Sequence, residues 1–409
     1  MIPLPLDEIA ELGLGRLEAR PGAAEVTGVQ VDSRRIADGD LFVAVGEGEH
    51  FLDDALARGA AATLVPEDAF AALAALGSAA RSRSAARVVA ITGSYGKTTT
   101  KDILASIAIP QRRTVAAERS FNNEIGVPLT LCRLEPDTKI CITELAMRGF
   151  GQIDELARMT RPEIGVVVTI GPVHLEKVGT LEGVVRAKSE LIEALPAGGT
   201  AIVPADFPVE RDDLEVVRIG EDVRVESFDP PRLRTTLGEV EVSFAARHLA
   251  VNGLCALAAA QALELELPSR LDVEFAGWRN QEQALVGGGL LINDAWNANP
   301  ISMRAALEHL RERAAGRRTI AVLGEMAELG SYAPEAHRDV AQSIIETAPD
   351  VVIAVGPLAQ VYGGRWVPNR EAALELLRQE VRPGDCVLLK GARVLELDRL
   401  ADELVPVEA

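Results

Sequence analysis

Arg87 to Ala108, RVVAITGSYGKTTTKDILASIA, is the stretch from which the fold can be read. Arg87 to Ile91 is a short apolar, β-branched run, and Ile103, Leu104 and Ile107 recur at helical spacing, so a buried strand passes through a turn into a helix. The turn is Gly93-Ser94-Tyr95-Gly96-Lys97-Thr98, with Thr99 behind it. Its glycines let successive backbone N–H groups point inward, and the helix start adds its positive end. Lys97 is placed to reach β- and γ-phosphates and Thr98 to ligate Mg²⁺. Gly93, Ser94, Gly96, Lys97, Thr98 and Thr99 therefore form a candidate nucleoside triphosphate loop. One position departs from the general pattern: the residue five before Gly96 is Ile91, where glycine is usual. A tight connection that holds no ligand would leave a similar string.

Whole-chain properties bound what such a loop can serve. A length of 409 residues suggests roughly two to four domains, and 48% hydrophobic content is ample for their cores. The formal net charge of −19 opposes a sequence-independent grip on nucleic acid or anionic lipid, so neither is an expected partner. A polyanionic substrate would need a local basic pocket. Cys132, Cys141, Cys255 and Cys386 are isolated within apolar segments and read as small buried hydrophobes of a reducing compartment. No leader pattern opens the chain and no apolar run spans a bilayer, so no membrane insertion and a cytoplasmic location are expected.

Beyond the turn, strands at Val88–Ile91, Ile140–Glu144, Ile164–Ile170 and Thr200–Val203 alternate with helices at Thr98–Ile107, Gln152–Met159, Leu181–Leu195 and Leu249–Leu263. That alternation predicts a parallel sheet covered on both faces, with ligands beyond the carboxyl ends of its strands. Glu144 and His174 fall there and are candidates for a Mg²⁺ pair, or else for helix caps. Lys188 completes the apolar stripe of Leu181, Val184, Val185, Leu191, Ile192 and Leu195. Either it is aimed inward, where burial would lower its pKa and make it a nucleophile towards CO₂, or it snorkels to water.

Upstream, residues 1–83 read as a small mixed domain that ends in a linker, Gly77 to Arg87, GSAARSRSAAR. Ser33 and Arg34 at a strand end are candidates for a phosphate or carboxylate, or form a solvated turn. Downstream, strands at Thr319–Leu323, Val351–Val355 and Val387–Leu389 alternate with helices at Ser302–Arg313, Pro334–Thr347 and Ala372–Glu380. Lys390 and Arg393 end the last strand at the start of a helix, where they could hold an anion. The predicted class is α/β with three domains. Residues 1–83 form a small mixed α/β domain, 84–277 a P-loop ATPase-like parallel sheet, and 278–409 a Rossmann-like α/β domain.

Five strings carry a resemblance over nearly the whole chain: SFNNEIGVPLT (120–130), TELA (143–146), GPVHLE (171–176), DAWNANP (294–300) and LGEMAELG (323–330). They resemble the Mur ligase family, and within it the branch that adds a dipeptide to a UDP-linked muramoyl tripeptide. In that branch the phosphate loop normally lacks its first glycine, which accounts for Ile91.

The resemblance implies an ATP-dependent amide ligase that joins D-alanyl-D-alanine to UDP-N-acetylmuramoyl-tripeptide through an acyl phosphate. Its cofactors would be ATP and two Mg²⁺, held by Thr98, Glu144, His174 and Lys188, with Lys188 carbamylated. Lys97, Lys188, Arg279 and His174 would act at the reaction centre. Asn252, Arg279, Asp294, Asn297 and Asn299 would line the nucleotide. Ser33, Arg34, Asn122, Asn123, Lys390 and Arg393 would meet substrate, a monomer is expected, and His337 matches a family histidine. The UDP-sugar domain is expected to be residues 1–83. Some positions depart from the family: Gly46–Phe51 is a shortened loop, Trp278 and Trp296 replace Gly and Tyr, Leu249 stands where Asn often follows the His, and Ala392 replaces Ser. Two other readings stay open, a related ligase acting on a different carboxylate and amine, and a non-catalytic ATP-binding subunit.

Overall fold

The computed structural model describes residues 1–404. Its centre is a six-stranded sheet, all parallel, in the order Glu215–Ile219, Thr200–Pro204, Ile164–Val167, Arg87–Thr92, Ile140–Glu144 and Thr114–Ala116. Side chains alternate along the Arg87–Thr92 strand. Val89 and Ile91 enter a core shared with the Lys97–Ala108 and His248–Ala262 helices, and Val88 and Ala90 one shared with Gln152–Thr160 and Leu181–Glu193. Burial on both faces explains the uninterrupted apolar character of the strand. Register then places the site, because Ile91 pairs with Glu144 and Thr92 with Val167, bringing both neighbouring strand ends to the phosphate turn.

A second six-stranded sheet runs Gln281–Leu285, Gly289–Asn293, Cys386–Lys390, Thr319–Gly324, Val351–Val355 and Arg365–Val367, parallel except for its first strand. A four-stranded sheet near the N-terminus runs Gly15–Ala19, Ala62–Pro66, Asp40–Val43 and Gly28–Gln30. All four cysteines are buried and unpaired. Among the described residues no helix is long and apolar enough to cross a membrane.

Two expectations from the sequence need correction. Gly77 to Arg87 is not a linker, because a helix runs Ala69–Ser82, capped by Asp68, which accepts from the N–H groups of Phe70 and Ala71. Its small residues serve close packing: a Cβ on Gly77 would lie 2.9 Å from the Cα of Pro128. Arg81 is buried and donates to the carbonyls of Thr160 and Ser84. The second correction is an unforeseen antiparallel ribbon, Val225–Asp229, Arg232–Thr235 and Gly238–Val242, joined in parallel by Arg270–Leu271. Its outward faces are charged, which hides the inward Leu233, Val240 and Val242 that cover the His248–Ala262 helix.

Candidate active site

A cleft of about 580 Å³ opens over the carboxyl ends of the central strands, with the phosphate turn as its floor. Gly96 sits at φ +84°, and a Cβ there would lie 2.5 Å from Asn252 Oδ1 and 3.0 Å from Val168 Cγ1. Only glycine accommodates both the left-handed backbone and the close helix. Gly96→Ala is accordingly expected to weaken nucleotide binding at least about tenfold, read by titration calorimetry; unchanged affinity would show that the turn can move.

Lys97 Nζ donates 2.8 Å to the Gly93 carbonyl, so the lysine is folded over its own loop. Burial lowers its pKa, with Arg279 adding to the shift and Glu144 opposing it. Ser94 does not face the cleft with a free hydroxyl. Its Oγ donates to the Gly171 carbonyl at 3.0 Å and accepts from the Gly171 N–H at 2.9 Å, clamping the turn to the strand-end segment. Thr169 Oγ1 accepts from Tyr95 N–H and donates to Tyr95 O. Thr99 is buried and lines the cleft.

Glu144 is 1% exposed and both its oxygens are held. Thr98 Oγ1 donates to one at 2.7 Å and Asn122 Nδ2 to the other at 2.7 Å. His174 lines the same cleft but is not paired with Glu144. It sits at φ +53° and its Nδ1 lies 2.8 Å from Glu328 Oε2, a residue after the Thr319–Gly324 strand.

Lys188 is 2% exposed, which removes the snorkelling alternative. Among the described residues its ammonium has neither ion pair nor hydrogen bond. Burial first, then the charge of Lys97, pushes its pKa well below the ordinary lysine range, and Glu190 offsets this only in part. The Glu190 carboxylate is itself engaged, accepting from the N–H groups of Gly151 at 2.7 Å and Asp154 at 3.1 Å.

On the opposite wall, several residues expected to meet ligand also make hydrogen bonds within the protein. Asp294 Oδ2 lies 2.5 Å from Lys390 Nζ, and Asp294 Oδ1 accepts from Asn280 N–H. Lys390 is 2% exposed and also donates to the carbonyls of Asp294 and Asn297, which ties it to this wall. Arg393 donates to Asp398 at 2.5 Å and lies over the rings of Trp278 and Trp296. It belongs to a 3₁₀ turn, Arg393–Leu395, so the helix expected to start there does not. Asn299 caps the Pro300–Ala314 helix in a capping box with Ser302, and Asn297 Oδ1 accepts from Ala298 N–H. Asn252 is 4% exposed and lines the cleft. Arg279 reaches in with its guanidinium 4.8 Å from the Trp296 ring, which stacks on Trp278 at 5.8 Å. The two tryptophans that depart from the family pattern thus stack on each other, with a guanidinium on Trp296.

Local geometry places three further groups of residues singled out in the sequence. Asn123 lines the cleft, but its Oδ1 accepts from Gly126 N–H at 3.0 Å ahead of the Gly126–Leu131 helix. Ser33 is buried, and Arg34 is folded onto Asp32 through two hydrogen bonds of 2.8 and 2.7 Å, which hold the Asp32 carboxyl at about 2; neither residue lines the cleft. His337 is buried: Nδ1 donates to Ala333 O, Nε2 accepts from Met326 N–H, and the ring stacks on Tyr362. It is a structural strut beneath the 323–330 loop.

Lys101 and Asp102 do not stand out in the sequence. Lys101 Nζ donates to the carbonyls of Ala117 and Arg119 and pairs at 2.6 Å with Asp102, whose other oxygen accepts from Ala276 N–H. The pair ties the phosphate helix to the loop carrying Asn122 and to the segment that leads to Arg279. Its one signal is phase, since Lys101 stands three residues before Leu104 on the buried stripe. Lys101→Met is expected to cost about 3–5 kcal/mol in a urea denaturation, because Asp102 is left as an uncompensated buried charge. A loss below about 1 kcal/mol would contradict that account.

Two family profiles match this chain, one described as Mur ligase middle domain at residues 91–260 and one as Mur ligase, glutamate ligase domain, at 279–393. UDP-N-acetylmuramoyl-tripeptide–D-alanyl-D-alanine ligases of Mycobacterium tuberculosis and Escherichia coli are each 33% identical to it. The alignments cover 99% of this chain, with 98% of the mycobacterial relative and 99% of the E. coli one. A crystal structure of MurF from Acinetobacter baumannii superposes with a TM-score of 0.86 at 28% identity, over 98% of both chains. The geometry of the cleft and the similarity along the whole chain lead to one assignment: this chain belongs to the Mur ligase family.

Proposed function

We propose that this chain is the ATP-dependent ligase that joins D-alanyl-D-alanine to UDP-N-acetylmuramoyl-tripeptide, releasing ADP and phosphate. The observation that carries this reading is one cleft in which the phosphate turn, Glu144 and Arg279 converge, in a chain similar end to end to ligases named for that reaction. Domain limits at 83/84 and 277/278 belong to the same proposal, with residues 1–83 taking the UDP-sugar.

A carboxylate resists attack by an amine because oxide is too poor a leaving group. In the proposed reaction a carboxylate oxygen of the tripeptide attacks the γ-phosphorus and the bond to ADP breaks. The amine then attacks the acyl carbon, phosphate leaves with the C–O bond electrons, and the amine loses a proton. Lys97, released from the Gly93 carbonyl, neutralises charge on the transferring phosphoryl group, and Arg279 adds a second cation. Asn252 and Asp294 flank the nucleotide, with Asn297 and Asn299 shaping that wall.

Magnesium fits the residues present. Glu144 offers hard oxygen donors already aligned by Thr98 and Asn122, and among the described residues no group of three or more His, Cys, Asp or Glu forms a cage of its own. A cation here would share its shell with phosphate oxygens and water, as Mg²⁺ prefers. Thr98, Glu144, His174 and a carbamylated Lys188 would hold it, and it would supply charge neutralisation to the phosphates. What supports the carbamate is an unpaired lysine buried near Lys97: its amine would add to CO₂, giving a carboxylate and one proton.

Phosphate release assayed with ATP, UDP-N-acetylmuramoyl-tripeptide and D-alanyl-D-alanine tests the reading. Turnover requiring all three is expected. Turnover only with another acid or amine would replace it with a related ligase, and tight ATP binding without turnover would point to a non-catalytic subunit.

A further inference from the structure

Among the described residues, the cleft holds a cation that the phosphate chemistry leaves unused. Lys97 and Lys390 are hydrogen-bonded to the protein, and Arg279 lies on the Trp296 face. Arg148 lines the same cleft, is exposed, and among the described residues its guanidinium has no ion pair or hydrogen bond. Its backbone, by contrast, is pinned. The N–H groups of Arg148 and Gly149 both donate to Gln152 Oε1, at 2.6 and 3.2 Å, at the start of the Gln152–Thr160 helix that Glu190 braces. A fixed backbone four residues beyond Glu144 thus presents a free guanidinium fork to the cleft.

The surroundings identify what that fork would meet. Glu328 and His174 lie on the same rim, with Glu328 Oε2 2.8 Å from His174 Nδ1. The rim therefore alternates cation, anion and imidazole. A free dipeptide has the matching charge pattern, an ammonium at one end and a carboxylate at the other. Guanidinium binds carboxylate in a planar two-bond fork that a carboxamide cannot reproduce.

We propose that Arg148 recognises the C-terminal carboxylate of the acceptor dipeptide and so selects amines that carry a free terminal carboxylate. This rests on the ligase reading above. It makes Arg148 a specificity residue, distinct from the residues that handle phosphate.

The test compares D-alanyl-D-alanine with its C-terminal amide in the wild-type chain, Arg148→Gln and Arg148→Lys. The wild type is expected to discriminate against the amide. Arg148→Gln should raise KM for the dipeptide about ten- to a hundredfold and abolish that discrimination, while KM for ATP and for the UDP-tripeptide stays within about twofold. Arg148→Lys should recover part of the loss, because a charge without the fork remains. An unchanged dipeptide KM, or an equal rise for the UDP-tripeptide, overturns the inference alone. Absence of turnover by the wild type with either acceptor overturns the ligase reading and this inference with it.

Discussion

Lys188→Ala is expected to lower the ligation rate by about two to three orders of magnitude, and acetate or formate to restore at least a tenfold part of it. Lys188 is 2% exposed and unpaired among the described residues, with Lys97 near enough to add to the shift that burial causes. A protein gains no stability from such an amine, so the reason to keep it must be chemical. If the side chain acts as a carbamate, a small carboxylate diffusing into the space left by alanine supplies the missing oxygens. Rescue without any change in fold, followed by circular dichroism, is the decisive result. Unchanged activity would end the carbamate reading, and loss that no carboxylate restores would leave Lys188 as a positioning cation. Lys188→Met, of similar volume, should be inactive yet no less stable than the wild type.

Lys97→Met should be at least as damaging, with kcat falling by about three orders of magnitude or more. Among the described residues its ammonium donates only to the Gly93 carbonyl, which is a resting contact that a phosphate would displace. The fold should be nearly indifferent, because the lost partner is one backbone oxygen beside the still-clamped Ser94. Single-turnover phosphate release with saturating ATP would separate chemistry from binding. A fall confined to ATP affinity, with the single-turnover rate unchanged, would mean that Lys97 only anchors the nucleotide.

The phosphate turn, the alternating strands and helices on either side of it, and the phase of Lys188 on its apolar stripe are legible in the amino-acid sequence, whereas only the structure decides between an inward and a snorkelling Lys188. Each rests on local chemistry: glycines between a strand and a helix, an apolar run, and a lysine in phase with leucines. The Ala69–Ser82 helix is not legible in the same way, because alanine, glycine and serine look like a linker until a neighbour is seen packed against them. The charged ribbon around Leu233 and Val240 escapes notice for the opposite reason, its polar face outnumbering its buried one.

Pairing is the part that sequence leaves open. That Asp294 takes Lys390, that His174 turns to Glu328, that Lys101 reaches the Ala117 and Arg119 carbonyls, and that Arg148 has no partner among the described residues all depend on how residues apart in the chain are brought together. Composition and spacing determine which side chains can hold phosphate, because those are properties of one turn and the helix after it. Which charges are spent on the protein itself and which remain for a substrate is settled only where strands meet in register and loops from separate sheets face one cleft. There most of the ions near the cleft find a partner in the protein, and Arg148, without one among the described residues, marks what the cleft has still to bind.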